Sequence, residues 1–190
     1  MSMTTYILCG GNDREYEQFG INLQKVVSER VKHVKLLDVY FAGDDNKAKA
    51  RFEDWSGWFD EYFPDIERVL AAQDEFADQV AWANVVFMHG GRTEKLLEEL
   101  PNFAEVKELL RGKVYIGSSA GANYMAENFL SQDNGVQWGS GILPINTAVH
   151  YDSGNWQSRS IEDTDALERN FPNTSILRIR EGEFEVIEDE

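Results

Sequence analysis

The sequence predicts an α/β fold: a single domain with a mostly parallel central sheet flanked by helices on both faces. Three observations carry this expectation. Short apolar, β-branched runs recur along the chain, each closes on a glycine-containing turn, and most are followed by a stretch with helical spacing. Strands buried on both faces read as continuous apolar runs, and parallel sheets bury their strands in this way.

Taken in order, Tyr6-Ile7-Leu8-Cys9 reads as a buried strand that meets Gly10-Gly11. Phe19, Leu23, Val26 and Val27 then recur at helical spacing between about Glu15 and Val31. Val34 to Phe41 predicts a second strand with its turn at Gly43-Asp44-Asp45-Asn46. Lys47 to Tyr62 carries five aromatic residues at spacings of three, four and one, and reads as one amphipathic helix ended by Pro64. Asp65 to Ala72 suits either strand or helix, and Glu75 to Ala83 reads as helix. Val85-Val86-Phe87-Met88 predicts a strand ending at His89-Gly90-Gly91, followed by a helix over Thr93 to Leu100 with Thr93 as its N-cap. Phe103 to Leu110 predicts another helix and Val114-Tyr115-Ile116 another strand, with helix again from Ala122 to Phe129. Ser131 to Gly141 is rich in Gly, Ser, Asn and Asp and reads as loop. Residues 147–152 mark a strand end, Ile161 to Phe171 a helix, and Ser175 to Arg180 and Phe184 to Ile187 two late strands.

Composition narrows the function. The 190 residues suit one domain, residues 1–190, and 42% hydrophobic content supports a sizeable core. A formal charge of −16, from 34 acidic against 18 basic residues, repels phosphate backbones and anionic lipid. Nucleic acid and membrane are therefore not expected partners. The single cysteine, Cys9, excludes an internal disulfide framework and suits a reducing compartment. No apolar run approaches the roughly 20 residues a spanning helix needs. The first residues lack the basic region and apolar core of a leader, so the expected location is the cytoplasm.

The chemistry concentrates at Gly117-Ser118-Ser119-Ala120-Gly121, which fits G-x-S-x-G in one register, centred on Ser119. In that motif a strand turns abruptly into a helix, and the central serine is left on strained backbone facing solvent. Flanking glycines remove the Cβ atoms that would clash. The plainer alternative is a turn in which Ser119 only caps the helix. A serine nucleophile needs a base. His33 reads as surface, while His89 and His150 both fall at strand ends, where sites on parallel sheets gather. His89-Gly90-Gly91-Arg92 is similar to HGG-type oxyanion loops, which leaves His150 the base. Asp133, Asp152 and Glu181 are the candidate carboxylates to orient it.

These residues resemble the peptidase E family of serine peptidases, the aspartyl dipeptidase group related to cyanophycinases. The resemblance is carried by residues 85–93 with the helix after them, by Gly117 to Asn123, and by Pro144-Ile145-Asn146 leading to His150. It implies a class I glutamine amidotransferase-like fold with serine in place of the amidotransferase cysteine. It further implies Ser119 as nucleophile, His150 as base, and an oxyanion hole from the N–H groups of Gly91 and Ala120. The family's carboxylate falls on Glu181 of the Glu181-Gly182 turn, with Asp133 as the alternative. Arg159 is the nearest match to the family's aspartate-binding arginine, and Arg92 stands where members carry asparagine. The implied substrate is a short peptide, a dipeptide such as Asp-X, cleaved without metal or organic cofactor. A homodimer is a candidate assembly. The rival expectations are an α/β-hydrolase-type esterase and a non-catalytic relative that binds a small molecule.

Overall fold

The computed structural model describes residues 3–131, 134–154 and 158–189. Its larger sheet has six strands: β1 (Thr4–Cys9), β2 (Lys35–Val39), β3 (Glu67–Leu70), β4 (Val85–Met88), β5 (Val114–Ser118) and β10 (Phe184–Asp189). Their order is β10-β1-β5-β4-β2-β3, parallel throughout except for the antiparallel β1–β10 pair. Each strand is short, and side-chain alternation divides the core in two. Tyr6, Leu8, Leu37, Val86, Met88 and Tyr115 face one side. That side is covered by α4 (Phe76–Trp82), α5 (Thr93–Glu99), α6 (Phe103–Leu109) and α7 (Ala120–Met125). Ile7, Leu36, Val85, Phe87 and Ile116 face the other, where Phe19, Leu23 and Val27 of α1 (Glu17–Ser28) meet Phe59 and Tyr62 of α3 (Ser56–Tyr62). Each such side chain contributes about 1.5–3 kcal/mol on burial.

Three expectations are corrected and one open choice is resolved. The helix expected over residues 47–62 divides at Trp55 into α2 (Ala48–Asp54) and α3. Ser56 and Gly57 are weak helix formers at that junction, and the Ser56 hydroxyl bonds back to the Phe52 carbonyl at 3.3 Å. The segment 65–72, which suited strand or helix, supplies the edge strand β3. The helix after Ser119 stops at Met125, and the chain turns into β6 (Asn128–Ser131). Finally, the segment read as loop contains β7 (Gly135–Trp138), which pairs antiparallel with β6.

β6 and β7 join β8 (Ile145–Val149) and β9 (Ser175–Ile179) in a second sheet, ordered β7-β6-β8-β9. α8 (Ile161–Asn170) connects the last two strands and begins with a capping box between Ser160 and Asp163. β9 lies in the small sheet and β10 in the large one, so the turn between them crosses the seam. Among the described residues no helix is long and apolar enough to cross a membrane.

Candidate active site

The seam is fastened at the end of β1. The Cys9 carbonyl accepts the Ser119 N–H at 3.0 Å, Gly10 accepts the His150 N–H at 3.0 Å, and Gly11 accepts the Gly182 N–H at 3.1 Å. Three consecutive residues thus hold the end of β5, the end of β8 and the turn after β9. Each of those segments delivers one polar side chain.

Ser119 sits between β5 and α7 with φ 48° and ψ −101°, a conformation that costs a non-glycine residue about 1–3 kcal/mol. The close turn needs its flanking glycines, since a Cβ on Gly117 would lie 2.7 Å from the Gly121 carbonyl carbon. The Ser119 side chain makes no capping bond to α7. Its Oγ lies 2.9 Å from His150 Nε2, and His150 Nδ1 lies 2.7 Å from Glu181 Oε1. The plain N-cap alternative therefore does not describe this serine. His150 also has a positive φ, 54°, and its ring lies over Gly11. A Cβ at Gly11 would stand 2.2 Å from the ring's Cε1 atom.

His150 and Glu181 are buried. Burial pushes the His150 pKa below the ordinary histidine value, Glu181 opposes that shift, and the Arg159 cation adds to it. The ring is thus held neutral, with Nδ1–H donating to Glu181 and the Nε2 lone pair free to accept from Ser119. Gly91 lines the same region, Ala120 follows Ser119 as the buried first residue of α7, and neither N–H donates a hydrogen bond among the described residues.

The remaining candidates separate clearly. His89 is buried, but its ring belongs to another network. Nε2 bonds Asp38 Oδ1 at 2.6 Å, and Asp38 also accepts from Arg68 Nε at 3.0 Å. The ring is stacked between Tyr40 and Phe87, each at 4.1 Å. Together with Gly90 and Gly91 it also lines a cavity beside Ser119. Asp152 points to Arg180 at 3.3 Å and is not the carboxylate on His150. Asp133 lies outside the described residues. Thr93 is the first residue of α5 and does not cap it. Its hydroxyl accepts from Asn123 Nδ2 at 3.4 Å, and Asn123 Oδ1 accepts from Thr147 Oγ1 at 2.8 Å.

Two cavities meet at Ser119 and His150. The first, about 430 Å³, is walled by Gly11, Asp13, Arg51, Trp55, His89 and Ser118 among others. The second, about 470 Å³, is polar and includes Arg92, Glu94, Asn123, Ser131 and Arg159. Arg159 reaches it because residue 159 returns to residue 150: its N–H donates to the His150 carbonyl at 3.0 Å. The Arg159 side chain is buried and also bonds the Leu130 carbonyl at 3.4 Å. Arg92 lies exposed at the rim.

Three site residues have no role assigned from sequence: Glu94, Asn123 and Asp13. Asp13 is buried, with its pKa pushed up to about 6 by loss of solvent, partly offset by Ser118 and the Gly11 N–H. Its Oδ2 has no hydrogen-bond partner among the described residues. A spacing pattern marks none of the three. Among the described residues no cluster of His, Cys, Asp and Glu could hold a metal ion.

An α/β sheet whose strand ends join a serine, a histidine and a glutamate in one hydrogen-bonded line defines the class of serine hydrolases. The particular family follows from comparison: the model of peptidase family S51 matches residues 22–190, and the chain belongs to that family. It is accordingly a serine-type peptidase. The chain also resembles a crystal structure from Listeria monocytogenes EGD-e, provisionally named as a peptidase E, with a TM-score of 0.64 and 16% identity. That match covers 100% of this chain and 99% of the other, and it shows the shared fold. No curated protein sequence matches at a significant level.

Proposed function

We propose that the protein hydrolyses short peptides through an acyl-enzyme, with Asp-X dipeptides as preferred substrates. The observation that carries this reading is the unbroken line from Ser119 Oγ through His150 to Glu181, at 2.9 and 2.7 Å. Ser119 Oγ attacks the scissile carbonyl carbon as His150 Nε2 takes its proton. Glu181 stabilises the imidazolium that results. Negative charge gathers on the carbonyl oxygen, opposite the Gly91 and Ala120 N–H groups, and each such donor is worth roughly 10²–10³ in rate. His150 then protonates the departing amine as the C–N bond breaks. Water, deprotonated by His150, attacks the ester and returns Ser119.

The strained backbone of Ser119 supports its role as a nucleophile held on an elbow. The buried Arg159 cation beside it supports an acidic side chain on the acyl residue, with Arg92 adding positive charge at the rim. The overall charge of −16 repels such a substrate at long range, so the preference depends on these local cations.

The test is a digestion of Asp-Leu and Leu-Leu by the parent and by Ser119→Ala. The parent should favour Asp-Leu, and the variant should lose roughly 10⁴-fold or more of that activity. Hydrolysis retained by Ser119→Ala at the parent rate would exclude the assignment.

A further inference from the structure

The catalytic line hangs on two consecutive glycines, and something must hold them. Gly10 and Gly11 are required by space: a Cβ on Gly10 would meet the Arg180 carbonyl oxygen, and one on Gly11 the His150 ring. Two glycines in series also leave the chain its widest backbone freedom. Yet the peptide unit between them is an anchor of the site. Its carbonyl, on Gly10, accepts the His150 N–H at 3.0 Å. The next carbonyl, on Gly11, accepts the N–H of Gly182, the neighbour of Glu181, at 3.1 Å.

The N–H of the same peptide, on Gly11, points the opposite way, as a trans peptide requires. It donates to Asp13 Oδ1 at 3.2 Å and to no other acceptor among the described residues. Asp13 is thus the counterpart of His150 across one peptide plane. Its carboxyl is 2% exposed, and its second oxygen has no partner among the described residues. Burial pushes its pKa up to about 6, and the nearby Glu181 charge acts in the same direction. An enclosed carboxylate with one oxygen unused is costly to a fold. What it supplies here is a charge-assisted hydrogen bond, stronger than one to a neutral acceptor, at the most flexible point of the anchor.

We infer that Asp13 is a positioning residue for the catalytic line: its carboxylate locks the Gly10–Gly11 peptide and so keeps His150 aligned between Ser119 and Glu181. This rests on the peptidase reading above and assigns a residue that acts through the backbone. Without the carboxylate the peptide is free to rotate. Its carbonyl then leaves the His150 N–H, and the ring, which lies over Gly11, follows. A misplacement on the order of 1 Å in a reacting group lowers the rate about 10²-fold. Arg92 and Arg159 line the second cavity, which Asp13 does not, so substrate affinity should be little changed.

The experiment compares the parent with Asp13→Ala and Asp13→Asn at about pH 8, where Asp13 is ionised and His150 neutral. Steady-state hydrolysis of Asp-Leu gives kcat and KM. Proton NMR follows the His150 Nδ1–H, which its bond to Glu181 shifts far downfield. Thermal melting confirms that each variant is folded, and Asp13→Ser takes the place of Asp13→Ala if the latter is not. Asp13→Ala should lower kcat roughly 10- to 100-fold, change KM less than about threefold, and displace or broaden the downfield resonance. Asp13→Asn keeps an oxygen acceptor for the Gly11 N–H and should recover most of kcat together with the resonance. A parent-like kcat in Asp13→Ala, a loss confined to KM, or an Asp13→Asn variant as impaired as Asp13→Ala overturns the inference. Absence of turnover in the parent would remove the peptidase reading. The resonance still decides the lock in that case: lost in Asp13→Ala and kept in Asp13→Asn, it upholds the lock, and unchanged in both, it removes it.

Discussion

Ser119, His150 and Glu181 reach the site on backbone tied to three consecutive residues, Cys9, Gly10 and Gly11. The polar cavity beside them is assembled otherwise, from side chains on the β4–α5 loop, α5, α7, β6 and the return at residue 159. The first region is rigid because two sheets share one anchor, and its geometry depends on main-chain hydrogen bonds and on close contacts that only glycine permits. The second depends on which charges the chain places there. Chemistry and substrate choice should therefore respond to different substitutions: kcat to changes along the anchor and KM to changes in the cavity.

After the loss expected for Ser119→Ala, the largest effect on the anchored side should come from Glu181→Gln. An amide in place of the carboxylate no longer stabilises the imidazolium, and its NH2 group can donate to Nδ1 and so favour the wrong tautomer of the ring. A loss in kcat of roughly 10³–10⁴-fold is expected with little change in KM. Steady-state hydrolysis of Asp-Leu checks it, and a loss confined to KM would place Glu181 in binding instead. Gly11→Ala should follow. Its added methyl group would meet the His150 ring at 2.2 Å, and its φ of 112° disfavours any side chain. The displaced base should cost about 10²-fold or more in kcat, together with a lower melting temperature.

Smaller effects belong to the cavity. Arg159→Met should raise KM for Asp-Leu roughly ten- to a hundredfold, the usual worth of a hydrogen bond to a charged group, while leaving Leu-Leu nearly unaffected. The same variant should move the acid limb of kcat/KM. The Arg159 cation helps hold the His150 pKa down, so its removal should shift the limb to higher pH. A KM increase shared equally by both dipeptides would deny the arginine a role in selection.

How much of the molecule is legible in its sequence follows the same division. Buried strands such as Tyr6 to Cys9 and Val85 to Met88 announce themselves as unbroken apolar runs, and the glycine turns after them mark the edge where the site forms. Ser119, His150 and Glu181 each stand at such a strand end, which is why position along the chain can nominate them. β7 is hidden because Gly135-Val136-Gln137-Trp138 is polar and largely open to solvent, stabilised by pairing with β6 and carrying little core of its own. The early end of α7 is hidden for the opposite reason. Phe129 is apolar enough to continue a helix, yet it is buried as part of β6. Glu94 looks like any exposed helical acid in a chain with 34 acidic residues. Only the folding of β6 and α5 against one cavity distinguishes it. Asp13 is equally silent, because its burial depends on a turn packed beneath Ser118.

Central to the proposed chemistry is activation of the Ser119 hydroxyl by His150. The most direct measurement is the rate of fluorophosphonate labelling against pH, with the modified peptide located by mass spectrometry. A protonated ring cannot accept the Ser119 proton, and burial keeps the His150 pKa below the ordinary histidine value. Labelling should therefore fall on Ser119, drop to half its full rate only below about pH 6.5, where an ordinary histidine is half-protonated, and vanish in His150→Ala. Label on another residue, or a rate on Ser119 that His150→Ala leaves intact, would contradict it.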